Sequence, residues 1–259
     1  MALTFLVPPT LGGARAGARA ALLSESLSSI AGLAVSVQVA SDYADLRARV
    51  EASEAAMLWA PGAVCAQIAS HVRCLFRVVR AGRSTYRAAL IARKGAFAGL
   101  HALEGAHAAA VDRLSLASYV MPRRSLRLHR LDPEAAIARW SFVGSFQAAL
   151  AEVMQGRADL AAIPVGGGTP GEIAAALERF AGAEALARLE AIGVTDPVPA
   201  DAIVFTRALP EAQAKRLVRR LFSSEMGGKG PAALSLMVEG DAFERGDANE
   251  YLELAAELD

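Results

Sequence analysis

Short apolar runs alternate with helical periodicity along the chain. Over the first eighty residues, Leu3 to Val7, Leu33 to Val39, Ala56 to Trp59 and Val72 to Val79 read as strands, with helices at Ala14 to Ile30 and Tyr43 to Glu51. Pro61 fits the first position of a further helix, where a missing N–H costs nothing. Such a βαβ series predicts a parallel sheet with helices on both faces.

The rhythm restarts at Tyr86 to Ala92, an apolar run ending at Arg93-Lys94-Gly95. A short helix near Leu100, a strand from Ala108 to Val111, a serine-rich turn and a helix reaching about Leu128 follow. Asp132-Pro133 marks a break and Trp140 to Val143 a strand, and Ser145 caps a helix that ends with Gly156 at C′. Asp159 to Val165 is the next strand. The Gly166-Gly167-Gly168 loop then runs into a capping box, with Thr169 as cap, Pro170 at N1 and Glu172 at N3. Ala202 to Thr206 reads as a strand, Pro210 to Phe222 as an amphipathic helix with Lys215, Arg216, Arg219 and Arg220 towards its end, and Asp247 to Leu258 as a terminal helix. Two α/β halves with a late return predict two lobes, residues 1–84 with 195–259 and residues 85–194. Ligands of such folds sit at strand carboxyl ends in the cleft between lobes.

Composition narrows the function classes. The 259 residues are 54% hydrophobic, enough for a large core without staples, and 27 basic residues balance 27 acidic ones. Zero net charge argues against broad attraction to nucleic acid or to an anionic membrane, so anion recognition has to be local. The basic stretch from Arg123 to Arg130 lacks interleaved aromatics and reads as a solvated helix face. No apolar run approaches the roughly 18 residues of a membrane span, which predicts a soluble chain without membrane insertion. The chain as written enters its first strand without a leader, which predicts a cytoplasmic location, or a periplasmic one if a leader has been removed.

Candidate chemistry is sparse. Cys65 and Cys74 form no Cys-x-x-Cys pair and read as reduced packing residues. His71, His101, His107 and His129 are scattered, which predicts no metal site. Neither a Gly-x-Ser-x-Gly elbow nor a Walker loop is present, so no enzyme chemistry and no cofactor is expected. The informative segment is Asp112 to Pro122, Asp-Arg-Leu-Ser-Leu-Ala-Ser-Tyr-Val-Met-Pro. It puts two serines on the turn from an apolar strand into a helix. Unpaired N–H groups and the positive end of the helix dipole collect there, which suits an anion with several oxygens. Plain helix capping by Ser115 and Ser118 is the competing explanation.

Several segments together resemble the phosphate, phosphite and phosphonate substrate-binding proteins of ABC importers. They are Tyr86 to Arg93, Asp112 to Pro122, Gly144-Ser145-Phe146, Gly156 to Ala162 and Pro197 to Arg207. The resemblance implies a type II periplasmic-binding-protein fold: α/β, two lobes each with a mostly parallel sheet flanked by helices, and two crossover strands. In that family a Ser-Thr-Ser-Gly-like run, a tyrosine and a histidine after a Gly-Ser pair hold the oxyanion. Ser115 matches the first serine and Tyr86 the tyrosine. Leu116 and Ala117 replace hydroxyl residues, Ser118 stands for the glycine and Phe146 for the histidine. Hydrogen bonds to a charged group contribute about 1.5–3 kcal/mol each, so these replacements favour a ligand with more apolar surface, such as a carboxylate or an aromatic compound.

The expected ligand-binding residues are Ser115, Leu116, Ala117, Ser118, Tyr86, Trp59, Ser145, Phe146, Gly166 and Gly167. The expected function is non-catalytic binding of a small anionic ligand, phosphonate- or phosphate-like or a carboxylate, for ABC-type uptake or cytoplasmic sensing. Its partners would be an ABC permease or a signalling protein, and no nucleic acid. The alternatives are a cytoplasmic enzyme of the same fold acting on a carboxylated ring, like the menaquinone-pathway dehydratases, and a degenerate protein-interaction module.

Overall fold

The computed structural model describes residues 2–9, 13–222 and 229–258. The chain forms two units, Met1–Ser84 with Pro199–Glu257, and Thr85–Val198. Thr195, Asp196, Pro197 and Val198 thus group with the second unit.

The first unit opens with β1 (Leu3–Val7), α1 (Gly13–Ala31), β2 (Val35–Val39), α2 (Tyr43–Glu51), β3 (Met57–Ala60), α3 (Gly62–Gln67) and β4 (Val72–Val79). The second holds β5 (Thr85–Arg93), β6 (His107–Ala110), a π-helical turn Leu116–Val120 running into α4 (Met121–Leu128), and α5 (Pro133–Ala136). It continues through β7 (Arg139–Phe142), α6 (Phe146–Met154), β8 (Leu160–Val165), α7 (Pro170–Ala181), α8 (Ala185–Arg188) and β9 (Leu189–Val194). The chain leaves through β10 (Val198–Pro199) and returns to the first unit for β11 (Ala202–Thr206), α9 (Glu211–Phe222), α10 (Lys229–Val238), β12 (Ala242–Gly246) and α11 (Leu252–Ala255).

In the first unit the strand order is β12-β4-β11-β3-β1-β2. β1 pairs in parallel with β2 and β3, while the returning β11 runs antiparallel between β3 and β4. A strand covered on both faces has to be apolar throughout, and every residue of β11, Ala-Ile-Val-Phe-Thr, is buried. Thr206 is tolerated there because its hydroxyl donates to the Ala55 carbonyl at 2.6 Å. Phe205 and Phe76 meet edge to face, and Phe222 of α9 stacks on Phe76 with 4.0 Å between ring centres, which anchors the amphipathic helix. Cys65 and Cys74 are free thiols; burial pushes the Cys65 thiol far up, so it stays a neutral packing group.

In the second unit β5, β8, β6 and β7 lie in that order, and β9 also pairs with β5. β6 runs parallel to β7 and β8, whereas β5 is antiparallel to β8 and β9. The period-two pleat of β5 divides its side chains between two cores. Ala89 and Ile91 pack with Leu150, Val153 and Ile163, while Leu90 packs with Leu100, Leu126 and Ile137.

Most differences from the sequence reading are local. Asp132-Pro133 starts α5, with Asp132 capping and Pro133 in the first turn, where a break was expected. The terminal helix is a capping box at Asp247, a 3-10 turn Ala248–Tyr251 and the short α11. β9, α10 and β12 were not anticipated: β9 follows α8 without a break, and β12 (Ala-Phe-Glu-Arg-Gly) is a mostly exposed strand at the sheet edge with little apolar signal.

One carboxylate ties several elements of the first unit. Asp201 accepts from the Trp59 indole N–H and from both terminal nitrogens of Arg80, at 2.6 and 3.0 Å. Arg80 also donates to the Val238 and Glu239 carbonyls at the end of α10, at 2.6 and 3.2 Å. Asp201→Ala leaves the indole and the guanidinium short of their shared acceptor, and we expect a loss of about 1–3 kcal/mol in denaturant unfolding. Because Arg80 is 39% exposed and rehydrates when unpaired, Asp201→Asn should recover part of that loss.

Candidate functional site

Parallel pairing puts the carboxyl ends of β6, β7 and β8 at one edge of the second unit's sheet. Antiparallel pairing brings the start of β5 to the same edge, where Arg87 pairs with Val165. Tyr86, the Ser115–Ser118 turn, Ser145 with Phe146, and Gly166 with Gly167 therefore share one edge. Trp59 stands on β3 of the first unit, and its indole N–H is committed to Asp201.

The turn after β6 is built by its own side chains. The Asp112 carboxylate accepts from Leu114 N–H at 2.8 Å, and Ser115 N–H donates to the Asp112 carbonyl. Ser115 Oγ accepts from Ser118 N–H at 3.4 Å as the N-cap. Ser118, wholly buried, accepts from Val111 N–H at 2.9 Å and so ties the end of β6 to the first helical turn. Val120 N–H donates to the Ser115 carbonyl, the i to i+5 register of a π turn. That wider turn precedes Pro122, whose ring in regular α geometry would clash with the Ser118 carbonyl.

The amides of Leu116 and Ala117 have no hydrogen-bond partner among the described residues, as expected of the first N–H groups of a helix. Both serine hydroxyls act as acceptors, and each keeps a hydrogen to donate. Two amides, the Ser115 hydroxyl and the positive helix end together suit an oxyanion. The Asp112 carboxylate in the same loop opposes it.

The other predicted residues do different things. Ser145 caps α6 by accepting from Ala148 N–H at 3.1 Å. Phe146 is half-buried and packs on the edge of the core beside Phe180, with ring centres 5.2 Å apart. The triple-glycine loop is filled by its own chain. Glu172 accepts from Gly167 N–H at 2.9 Å, from Thr169 N–H at 3.0 Å and from the Thr169 hydroxyl at 2.8 Å. Gly168 needs its missing side chain, since its φ is +83° and a Cβ would lie 2.7 Å from Val194. Tyr86 is half-buried on β5. Asp159 lies at the far edge, where its carboxylate accepts from His107 N–H at 2.8 Å.

Sequence reasoning overlooked Thr195 and Arg113. Thr195 is buried, and its hydroxyl oxygen accepts from Ala88 N–H at 2.9 Å while Arg87 donates to its carbonyl at 2.7 Å, which fixes the start of β5. Arg113 lies over the Phe142 ring, 4.9 Å from its centre. A basic residue two positions before the capping serine was the available signal for it.

A family model described as the periplasmic substrate-binding protein of phosphonate ABC transporters matches residues 5–251. The chain belongs to this family. Among solved structures, XAC2383 from Xanthomonas citri bound to ATP is similar at 17% identity and a TM-score of 0.81, covering 99% of this chain and 96% of that one. The PhnD1 protein of Prochlorococcus marinus in complex with methylphosphonate is 15% identical with a TM-score of 0.76, covering 99% and 96%. A binding-protein component of a Pseudomonas aeruginosa phosphonate transporter is 19% identical with a TM-score of 0.75, covering 99% and 85%. No curated protein matches the sequence. The phosphonate-binding family is a transport family, normally periplasmic, with the type II periplasmic-binding-protein fold. Leu116 and Ala117 are both buried.

Within this phosphonate-binding fold the two serines differ in structural weight. Ser118→Ala leaves the part-buried Val111 N–H without its acceptor and should cost about 1–3 kcal/mol of unfolding free energy. Ser115→Ala removes only a long cap bond and should cost roughly 0.5–1 kcal/mol. Paired urea titrations check the order; equal losses would show that Ser118 does not hold the turn.

Proposed function

We propose that the chain is a non-catalytic solute-binding protein that takes a small oxyanion, a phosphonate, a phosphate ester or a carboxylate, for delivery to an ABC permease. The observation that carries this reading is the helix start at Ser115. There the Leu116 and Ala117 amides lack partners among the described residues, at the carboxyl edge of a sheet in a chain of the phosphonate-binding family. The ligands named for two structural neighbours, ATP and methylphosphonate, both carry phosphorus oxyanions and support that class. Delivery to a permease also agrees with the periplasmic description of the family.

The enzyme reading would need a base near the Ser115 hydroxyl. The hydrogen bond shown at Ser115 Oγ comes from Ser118 N–H, and Asp112 is occupied with Leu114 N–H. Isothermal titration of the full chain with phosphate, methylphosphonate, acetate and ATP tests the proposal. At least one should give saturable heat that weakens with added salt, since an exposed anion contact is screened. Folded protein that gives no heat with any of the four would overturn it.

A further inference from the structure

Arg113 stands out among the charged groups at the carboxyl edge of the second unit. It is exposed and has no carboxylate partner among the described residues. Its guanidinium rests over the ring of Phe142, itself 37% exposed, at the carboxyl end of β7. That platform is fixed from below. Phe142 meets Tyr119 edge-on at 5.4 Å, and Tyr119 meets Trp140 at 4.8 Å. The Tyr119 hydroxyl accepts from Arg123, which is paired with Glu134 at 2.7 Å. An arginine held against a rigid ring loses less freedom on binding than a free one, and its in-plane donors stay available for a two-point grip on an oxyanion.

Charge in the loop gives Arg113 a purpose. Asp112 carries a full negative charge beside the Ser115 helix start, whose own positive field amounts to about half a charge. The helix start alone would therefore hold an anion poorly. Arg113, one residue after Asp112 and two before Ser115, puts a positive charge in the same loop and offsets the carboxylate.

We propose that Arg113 contacts the ligand and selects molecules with two neighbouring anionic groups, of the diphosphate type, over single oxyanions. One group would meet the Leu116 and Ala117 amides and the other the guanidinium. The inference rests on the oxyanion-binding reading above and deepens it.

The test is titration of the wild-type full chain and of Arg113→Gln, Arg113→Lys and Phe142→Leu with inorganic pyrophosphate and with methylphosphonate. Wild type should prefer pyrophosphate by about tenfold or more, the ratio that one charge-assisted contact supplies. Arg113→Gln should erase that preference; it should also weaken methylphosphonate, since Asp112 is then unopposed, but less than it weakens pyrophosphate. Arg113→Lys should keep part of it, because the charge remains without the planar fork. Phe142→Leu should lower it, since the platform is lost. If wild type binds methylphosphonate without preferring pyrophosphate, or Arg113→Gln leaves the ratio unchanged, the selectivity proposal falls and the oxyanion function stands. If wild type binds neither probe, the selectivity proposal falls, and the oxyanion function falls with it only when phosphate, acetate and ATP also give no heat. Unchanged thermal melting of the exposed Arg113 variants separates these outcomes from misfolding.

Discussion

The bond from Val111 N–H to the buried Ser118 hydroxyl is the contact on which the candidate site depends. A strand that ends in a tight turn leaves its last amide without a ladder partner, and a buried amide without an acceptor is costly. Ser118 supplies that acceptor from inside the next helix, so strand end and helix start are fixed relative to each other. Once they are fixed, the register that follows is constrained as well. The Ser115 carbonyl receives both Tyr119 and Val120, and the turn widens ahead of Pro122. The same widening places Tyr119 among Trp140 and Phe142, which makes an aromatic platform beside the turn.

The first unit uses charge in a different way. Asp201 lies two residues into the returning segment, and Arg80 lies just beyond β4, so their pair joins stretches of chain far apart in sequence. Arg80 spends its remaining donors on the carbonyls that end α10, where a cation also meets the negative end of the helix dipole. This network is structural. It positions β3, β4 and β11 and commits the indole N–H of Trp59, the expected ligand-binding residue that lies in this unit.

Strands buried on both faces and helices with explicit caps were the legible parts of the fold. Ala202–Thr206 is a continuous buried run, Val72–Val79 is apolar apart from Arg73 and Arg77, and Thr169 and Ser145 each cap a helix by accepting an N–H three residues on. β12 carries no such signal, because an edge strand paired on one side can be Ala-Phe-Glu-Arg-Gly and still be a strand. In the site, the serine turn was legible because its residue types and its position after an apolar strand speak locally. The role of Phe146 was not, since whether an aromatic at a helix start faces ligand or core depends on Phe180, thirty-four residues away. Arg113 was overlooked for a related reason: what sets it apart is the ring of Phe142, which pairing of β6 with β7 brings alongside.

Three helix starts open on the same edge, and those at α7 and at Ser115 differ in what already occupies their amides. At α7 the glycine loop offers amides in the arrangement that favours an anion, but Glu172 already fills it with three short bonds from Gly167 and Thr169. Displacing a carboxylate whose charge is part of the same helix turn would cost those bonds and gain similar ones, so an incoming anion has little to win there. At Ser115 the cap is an uncharged hydroxyl with a long bond, and the position three residues on is Ser118, whose side chain points back to the strand. Among the described residues no carboxylate accepts from the Leu116 and Ala117 amides; Asp112, in the same loop, accepts from Leu114 N–H instead. The residue at the third position of each helix, glutamate in one and serine in the other, therefore fills the amides of α7 with a carboxylate and puts none on those of Leu116 and Ala117 among the described residues, which is why the oxyanion proposal rests on the second start.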